Sequence, residues 1–305
     1  MPNHWTRREF AAALGTATLA AAAPTPIRLG GPIFLKSDDP RDLAREHRRL
    51  GYSAGYCPKV KPAEVERLRE IEKAFAAENV VIAEVGAWVN MLDPDPEKRR
   101  ANLAYVTEQI EVAERVGARC CVDIAGSFNP KVWYGPHPGN FSREFFDATV
   151  ENCRKVIDAV KPKRTKFTIE MMGWAIPDGP DPYLKLIKAV DRASFGVHMD
   201  VCSGVNSPER YYNNAQFIEE CFRKLGRWVA SCHAKDLDWV VEMNVHFVEV
   251  VPGRGKINYQ TYLRELSKLP VDAPLMLEHL KTPEEYEEGK KYIMGEAAKL
   301  GLPLA

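Results

Sequence analysis

Ser231-Cys232-His233-Ala234-Lys235-Asp236 closes an apolar run with three groups able to bind a metal ion or an oxyanion. Three other runs close in the same way. Ile169-Glu170, Met199-Asp200 and Leu277-Glu278 each put one carboxylate at the tail of a short β-type segment, and the segment with His233 falls between the last two. Successive side chains of a strand face opposite sides, so one acid or imidazole per strand reaches a common centre when the strands close into a barrel. The stretch therefore predicts a barrel, which the rest of the chain has to supply.

It does so by strict alternation. Strand-like runs are expected over residues 27–31, 52–57, 80–85, 119–124, 165–171, 194–200, 229–235 and 274–278. Helices are expected between them over 40–50, 62–78, 96–116, 143–160, 183–190, 214–225 and 259–266, with a last one over 283–299. Leu68, Ile71 and Phe75, and then Leu103, Val106, Ile110 and Ala113, fall at helical spacing. Asp39 reads as an N-cap, and Gly51, Asn79 and Gly117 end helices. Val80-Val81-Ile82-Ala83 is continuously apolar, as in a parallel strand buried on both faces. Eight such alternations predict an α/β fold, a single-domain (β/α)8 TIM barrel over residues 24–305. Residues 237–252, with Trp239, His246 and Glu249, are the least regular stretch and are expected to cap the site as a loop.

The bulk composition agrees with a soluble globular chain: 305 residues, 45% hydrophobic and 28% charged. Formal net charge is zero, so no overall field draws a nucleic acid or an anionic membrane surface. Seven cysteines form no Cys-x-x-Cys pair and read as free core thiols. Thr6-Arg7-Arg8-Glu9-Phe10 precedes an alanine-rich run that is too short and too weakly apolar to span a bilayer. Residues 1–23 resemble a twin-arginine export signal, with Ala20-Ala21-Ala22 as a small-residue cleavage site. That resemblance implies a periplasmic or secreted protein with no membrane anchor; a cytoplasmic location is the alternative.

Three carboxylates and one imidazole suit a hard-to-borderline divalent ion. Mn²⁺ heads the expectation, with Mg²⁺, Co²⁺ and Zn²⁺ as alternatives. An N-cap or a loop salt bridge explains most single acids at strand ends, but four donors in register on consecutive strands point to a site. Lys235 alternates with His233 on one face and can hold a substrate oxygen. Arg254 sits between glycines that allow close approach, and His198 lies one layer below Asp200. Glu84, Trp88, Trp133 and His137 sit at or after the third and fourth strand runs, where they can meet a bound ligand; core or loop packing explains each of them equally well.

Glu170, Asp200, the His-x-Lys-Asp stretch at 233–236 and Glu278 together resemble the xylose-isomerase-like TIM barrels, which include sugar epimerases, hydroxypyruvate isomerase and inosose dehydratase. Val251-Pro252-Gly253-Arg254-Gly255 is similar to the loop whose arginine binds substrate oxygens in the epimerases. The resemblance implies that Glu170, Asp200, His233 and Glu278 bind the metal and that Glu170 and Glu278 also exchange protons with substrate. The chain departs from the epimerases at Ser203, where they carry a histidine. It also lacks the extra histidines of endonuclease IV, with Phe247 and Glu249 near the place of its second Asp-x-His pair.

The expected activity is a divalent-metal sugar isomerase or epimerase that works by proton transfer next to a carbonyl through an enediolate. The alternatives are a metal-dependent lyase or dehydratase acting by β-elimination on a keto-sugar or keto-glycoside, and a barrel that binds sugar without turning it over. The expected partner is a small-molecule sugar or keto-sugar. No glycine-rich phosphate cradle appears, nucleic acid is not expected, and a homo-oligomer is compatible with the sequence.

Overall fold

Eight parallel strands close into a barrel in a computed structural model that describes residues 23–305. The strands are β1 (Arg28–Gly30), β2 (Ala54–Tyr56), β3 (Val81–Gly86), β4 (Cys120–Asp123), β5 (Lys166–Glu170), β6 (Phe195–Met199) and β7 (Val229–Ala234). A two-stranded hairpin, β8 (Asp236–Trp239) and β9 (Phe247–Val250), precedes the last barrel strand, β10 (Pro274–Leu277). β10 pairs with both β7 and β1, which closes the ring. The barrel is the one the sequence predicts. The expected signal lies outside the described residues except for Ala23. Among the described residues no helix is long and apolar enough to cross a membrane.

Helices cover the barrel: α1 (Pro40–Arg49), α2 (Val65–Ala77), α3 (Pro96–Val116), α4 (Arg143–Val160), α5 (Pro180–Val190), α6 (Val201–Gly204), α7 (Pro208–Tyr212), α8 (Asn214–Leu225), α9 (Tyr259–Ser267) and α10 (Pro283–Lys299). Asp39 caps α1, accepting from the Arg41 amide at 2.9 Å. Gly117 closes α3 in the left-handed region at φ 68°. Three features depart from the sequence expectation. The helix expected from 62 starts at Val65 and the one expected from 183 starts at Pro180. The short helices α6 and α7 fill the connection after β6.

The third departure concerns residues 237–252, expected as an irregular loop. Leu237 pairs with Glu249 and Trp239 with Phe247 in an antiparallel ladder, because the β-prone run Phe247-Val248 finds a partner in the residues that continue β7. Tyr211 anchors the hairpin by stacking on Phe247, with ring centroids 5.0 Å apart, and by donating its hydroxyl to Asp238 Oδ1 at 2.7 Å.

The barrel interior is built from small and medium side chains: Ala54, Ala83 and Met276 in one cluster, Cys120, Val122 and Ala230 in another. All seven cysteines are free, and six of them are buried. Gly30 faces the first cluster at its tightest point. A Cβ there would lie 2.6 Å from the Ala54 carbonyl oxygen and would also meet the Met276 sulfur. The Ala54 backbone cannot retreat without breaking its pairing with Gly30 and Val81. Gly30→Ala is therefore expected to cost about 1–3 kcal/mol, read as a lower urea midpoint at unchanged m-value.

Candidate active site

The quartet converges at the carboxyl ends of four adjacent barrel strands. Glu170 is the last residue of β5, Asp200 follows β6, His233 lies in β7 and Glu278 follows β10. His233 Nδ1 stands 3.0 Å from Glu170 Oε1, 3.0 Å from Glu278 Oε2 and 3.6 Å from Asp200 Oδ2. One donor atom from each of the four lies within 4.8 Å of every other. His233 and Asp200 are fully buried, while Glu278 keeps a partly open face. Asp200 also caps α6, accepting from the Ser203 amide at 2.9 Å and the Ser203 hydroxyl at 3.0 Å.

One layer deeper, Glu84 organises a second set. Its Oε1 accepts from His198 Nε2 at 2.9 Å and from the Ser231 hydroxyl at 2.5 Å, and its Oε2 faces His233 Nε2 at 3.4 Å. His233 is thus gripped at both nitrogens, with Nδ1 turned to the quartet and Nε2 to Glu84. A carboxylate on the far nitrogen fixes the ring orientation and the tautomer of a metal-binding histidine. Glu84 and His198 are completely covered, and the structure places them beneath the mouth rather than in it.

Lys235 sits among the carboxylates, with Nζ 2.8 Å from Asp200 Oδ2, 2.7 Å from Glu278 Oε2 and 3.3 Å from Glu170 Oε1. Burial works against every charge in this group, yet Lys235 and His233 hold the Asp200 carboxyl well below the usual range. Burial likewise disfavours the His233 imidazolium and the Lys235 ammonium, but the surrounding acids raise the pKa values of both. Glu278 is lowered against its burial by His233 and Lys235. Asp200 and Glu278 are thus held toward their charged forms by the same two cations, His233 and Lys235, that they stabilise in return.

The residues fit a divalent cation on two counts. The donor set is three carboxylates and one imidazole nitrogen. In addition, Glu278 Oε2 is buried and faces the Lys235 ammonium at 2.7 Å and His233 Nδ1 at 3.0 Å, with no neutral donor upon it. Such an oxygen has a lone pair to give.

Above the quartet, a cavity of ≈ 200 Å³ is lined by Lys235, Glu278, His279, Glu249 and Arg254 among others. His279 lies in the left-handed region at φ 61°, which few residues other than glycine adopt, histidine more readily than most. Its Nδ1 is 2.8 Å from Glu249 Oε2 on β9, and its Nε2 is 3.5 Å from Glu278 Oε2. The hydrogen bond to Glu249 raises its pKa. Sequence reading missed His279, whose only signal was its place directly after a strand-end acid. Arg254 lines the same cavity but is bound to Glu288 of α10 at 2.7 and 2.6 Å. Trp88 stands at the mouth, its ring centroid 6.3 Å from that of His233. Trp133 and His137 contact their own loop, Trp133 against Tyr134 and His137 against Phe128 and the Gly139 amide.

Comparison with known proteins identifies the architecture. The chain belongs to the xylose isomerase-like TIM barrel family, whose model matches residues 44–295. Among solved structures it is similar to a xylose isomerase-like TIM barrel protein from Mycobacterium smegmatis in complex with magnesium, at 18% identity and TM-score 0.61, over 85% of this chain and 88% of that one. It is similar to D-psicose 3-epimerase with D-tagatose from Clostridium cellulolyticum H10, at 13% identity and TM-score 0.64, over 90% of this chain and 100% of that one. A probable 3-DHS dehydratase from Bacillus anthracis matches at 12% identity and TM-score 0.63, over 88% of this chain and 97% of that one. At these identities the likeness is one of fold. No curated protein matches the chain by sequence.

Asp236 explains how the mouth is framed. Its Oδ1 accepts from the amides of Leu237 and Ile257, each at 2.9 Å, and its Oδ2 from those of Gly253 at 2.9 Å and Gly255 at 3.1 Å. Four backbone donors on one carboxylate tie the loop with Arg254 to the end of β7. Asp236→Ala would leave these donors unpaired and is expected to cost roughly 2–4 kcal/mol. Faster proteolysis within residues 251–257 should accompany the lower thermal midpoint.

Proposed function

We propose that this family member is a divalent-metal sugar isomerase or epimerase that moves a proton between carbons next to a carbonyl. The observation that carries the reading is the convergence of Glu170, Asp200, His233 and Glu278, one donor atom from each within 4.8 Å of the others. A divalent ion held by these four side chains, Mn²⁺ before Mg²⁺, Co²⁺ or Zn²⁺, would polarise a carbonyl and its neighbouring hydroxyl and so acidify the C–H bond between them. Glu170 and Glu278 approach from strands on either side of His233 and are the two groups assigned to take and return that proton. Glu84 and His198, buried below, hold the His233 ring in place for this task. Lys235, Arg254 and Trp88 are assigned to substrate, the first two from the cavity wall and Trp88 as a stacking face at the mouth. Trp133 and His137 are left to loop packing.

One observation favours the β-elimination reading as a second choice. Expulsion of a leaving group needs an acid apart from the base that removes the proton, and His279, held by Glu249 beside Glu278, is such a group. A dehydratase among the structural neighbours is in keeping with this. A barrel that binds sugar without turnover is the reading from another class. The export signal rests on the sequence of residues 1–23 alone, and with it the periplasmic or secreted location.

Three measurements test these assignments. Treatment with EDTA should abolish deuterium exchange from D₂O into a panel of ketoses and keto-glycosides, and Mn²⁺ or Co²⁺ should restore it better than Ca²⁺; exchange that persists without metal rejects the site. Glu170→Gln and Glu278→Gln should each keep metal content per chain while exchange falls by ~10²–10⁴, and near-normal exchange in both rejects the proton-transfer mechanism. His279→Asn separates the two enzyme readings. In a lyase it should retain exchange and lose product, whereas in an epimerase the product should form at a rate close to that of the parent.

A further inference from the structure

The Lys235 ammonium occupies the centre that the quartet surrounds. It lies 2.7 to 3.3 Å from one oxygen each of Asp200, Glu278 and Glu170, with 3% of its side chain exposed. The same three residues and His233 each offer one donor atom within 4.8 Å of the others. A monovalent and a divalent cation cannot share three carboxylate oxygens at such distances without strong repulsion, which a buried site does little to screen. One of them has to leave.

The backbone of Lys235 is fixed, since the buried Tyr259 hydroxyl donates to its carbonyl at 2.9 Å. The four-carbon stem is therefore the part free to move. It already borders the ≈ 200 Å³ cavity, whose walls carry the carboxylates of Glu249 and Glu285 and so offer an ammonium new partners. We infer that Lys235 is a built-in competitor of the divalent ion: it holds the three carboxylates together in the metal-free protein, and metal loading moves its ammonium into the cavity, where it meets substrate. This rests on the metal reading proposed above and adds a coupling to it. The same event that completes the metal centre delivers a hydrogen-bond donor to the substrate side, so the metal-free protein neither collapses nor presents a finished sugar site.

The test is Mn²⁺ binding by calorimetry, together with melting of metal-free and metal-loaded protein, for the parent and Lys235→Met, which keeps an unbranched apolar side chain and removes the charge. Lys235→Met should bind Mn²⁺ about ten-fold or more tightly than the parent. Its metal-free form should melt lower, and its metal-loaded form close to the loaded parent. If the metal-free variant does not fold, both proteins are purified with Mn²⁺ and its release to excess EDTA is timed; slower release from the variant is expected. Affinity equal to or below that of the parent, or release as fast or faster, overturns the competition. A parent that binds no Mn²⁺ at all rejects the metal reading itself. As a second readout, acetylation of Lys235 followed by mass spectrometry should be slow in metal-free parent and faster once Mn²⁺ is bound; no change on loading overturns the movement into the cavity.

Discussion

Four acids packed around one buried histidine are the constraint on which the molecule depends. Glu170, Asp200 and Glu278 surround His233 Nδ1, and Glu84 faces Nε2 from below. Carboxylates this close repel one another and lose hydration, and such a cluster persists only where cations and donors compensate each member. His233 and Lys235 supply the positive charge. Ser203, Ser231 and His198 supply neutral or polar donors. Removing a single compensating group would expose the remaining acids to each other, so the site is cooperative before any ligand enters.

Holding these charges in place is a matter of backbone, and tyrosines do it. Tyr183 donates to the carbonyl of Ile169, the residue before Glu170. Tyr262, from α9, donates to the carbonyl of His233 at 2.9 Å and reaches that of Met199, the residue before Asp200, at 3.3 Å. Tyr56 donates to the carbonyl of Leu277, next to Glu278, at 3.1 Å, and Tyr259 to that of Lys235. Every member of the quartet thus has a phenol clamped on the peptide unit at or beside it. Burial pushes the pKa of each of these hydroxyls up, which favours the neutral, hydrogen-bond-donating form. The helix α9 matters to the site through these two hydroxyls more than through any contact with substrate.

The barrel and the quartet were legible in the sequence because both rest on local signals. A run such as Val80-Val81-Ile82-Ala83 reads as a buried strand wherever it occurs, and an acid at the end of several such runs points to the carboxyl face of a parallel barrel. What was not legible depends on pairing across long separations. The hairpin needs Phe247 to find Trp239, the Asp236 clasp needs Gly253 and Ile257 to fold back onto β7, and His279 gains meaning only when Glu249 arrives from the hairpin. The tyrosine clamps are of the same kind. Tyr183 and Ile169 lie 14 residues apart and Tyr56 and Leu277 lie 221 apart, so no spacing within one element reveals them.

Ser203 shows how one departure from the family pattern can be read physically. The family resemblance puts a substrate-directed histidine at this place, whereas here a short hydroxyl turns back on Asp200, donating from Oγ to Oδ2 while the amide donates to Oδ1. An imidazole would have stood above the quartet and offered the substrate a titratable group from the β6 side. The serine instead gives each oxygen of Asp200 a short donor, while Lys235 and His233 hold that carboxyl well below the usual range. Glu170 and Glu278, the two acids assigned above to proton transfer, have no such hydroxyl on them, and an imidazole stands two strands away from Ser203 as His279 after β10. The mouth keeps one exposed imidazole, on the side of the cavity with Arg254 and Lys235. That shift of an imidazole from the end of β6 to the end of β10, with only β7 between them, is where the mouth of this chain departs from the epimerase pattern it resembles.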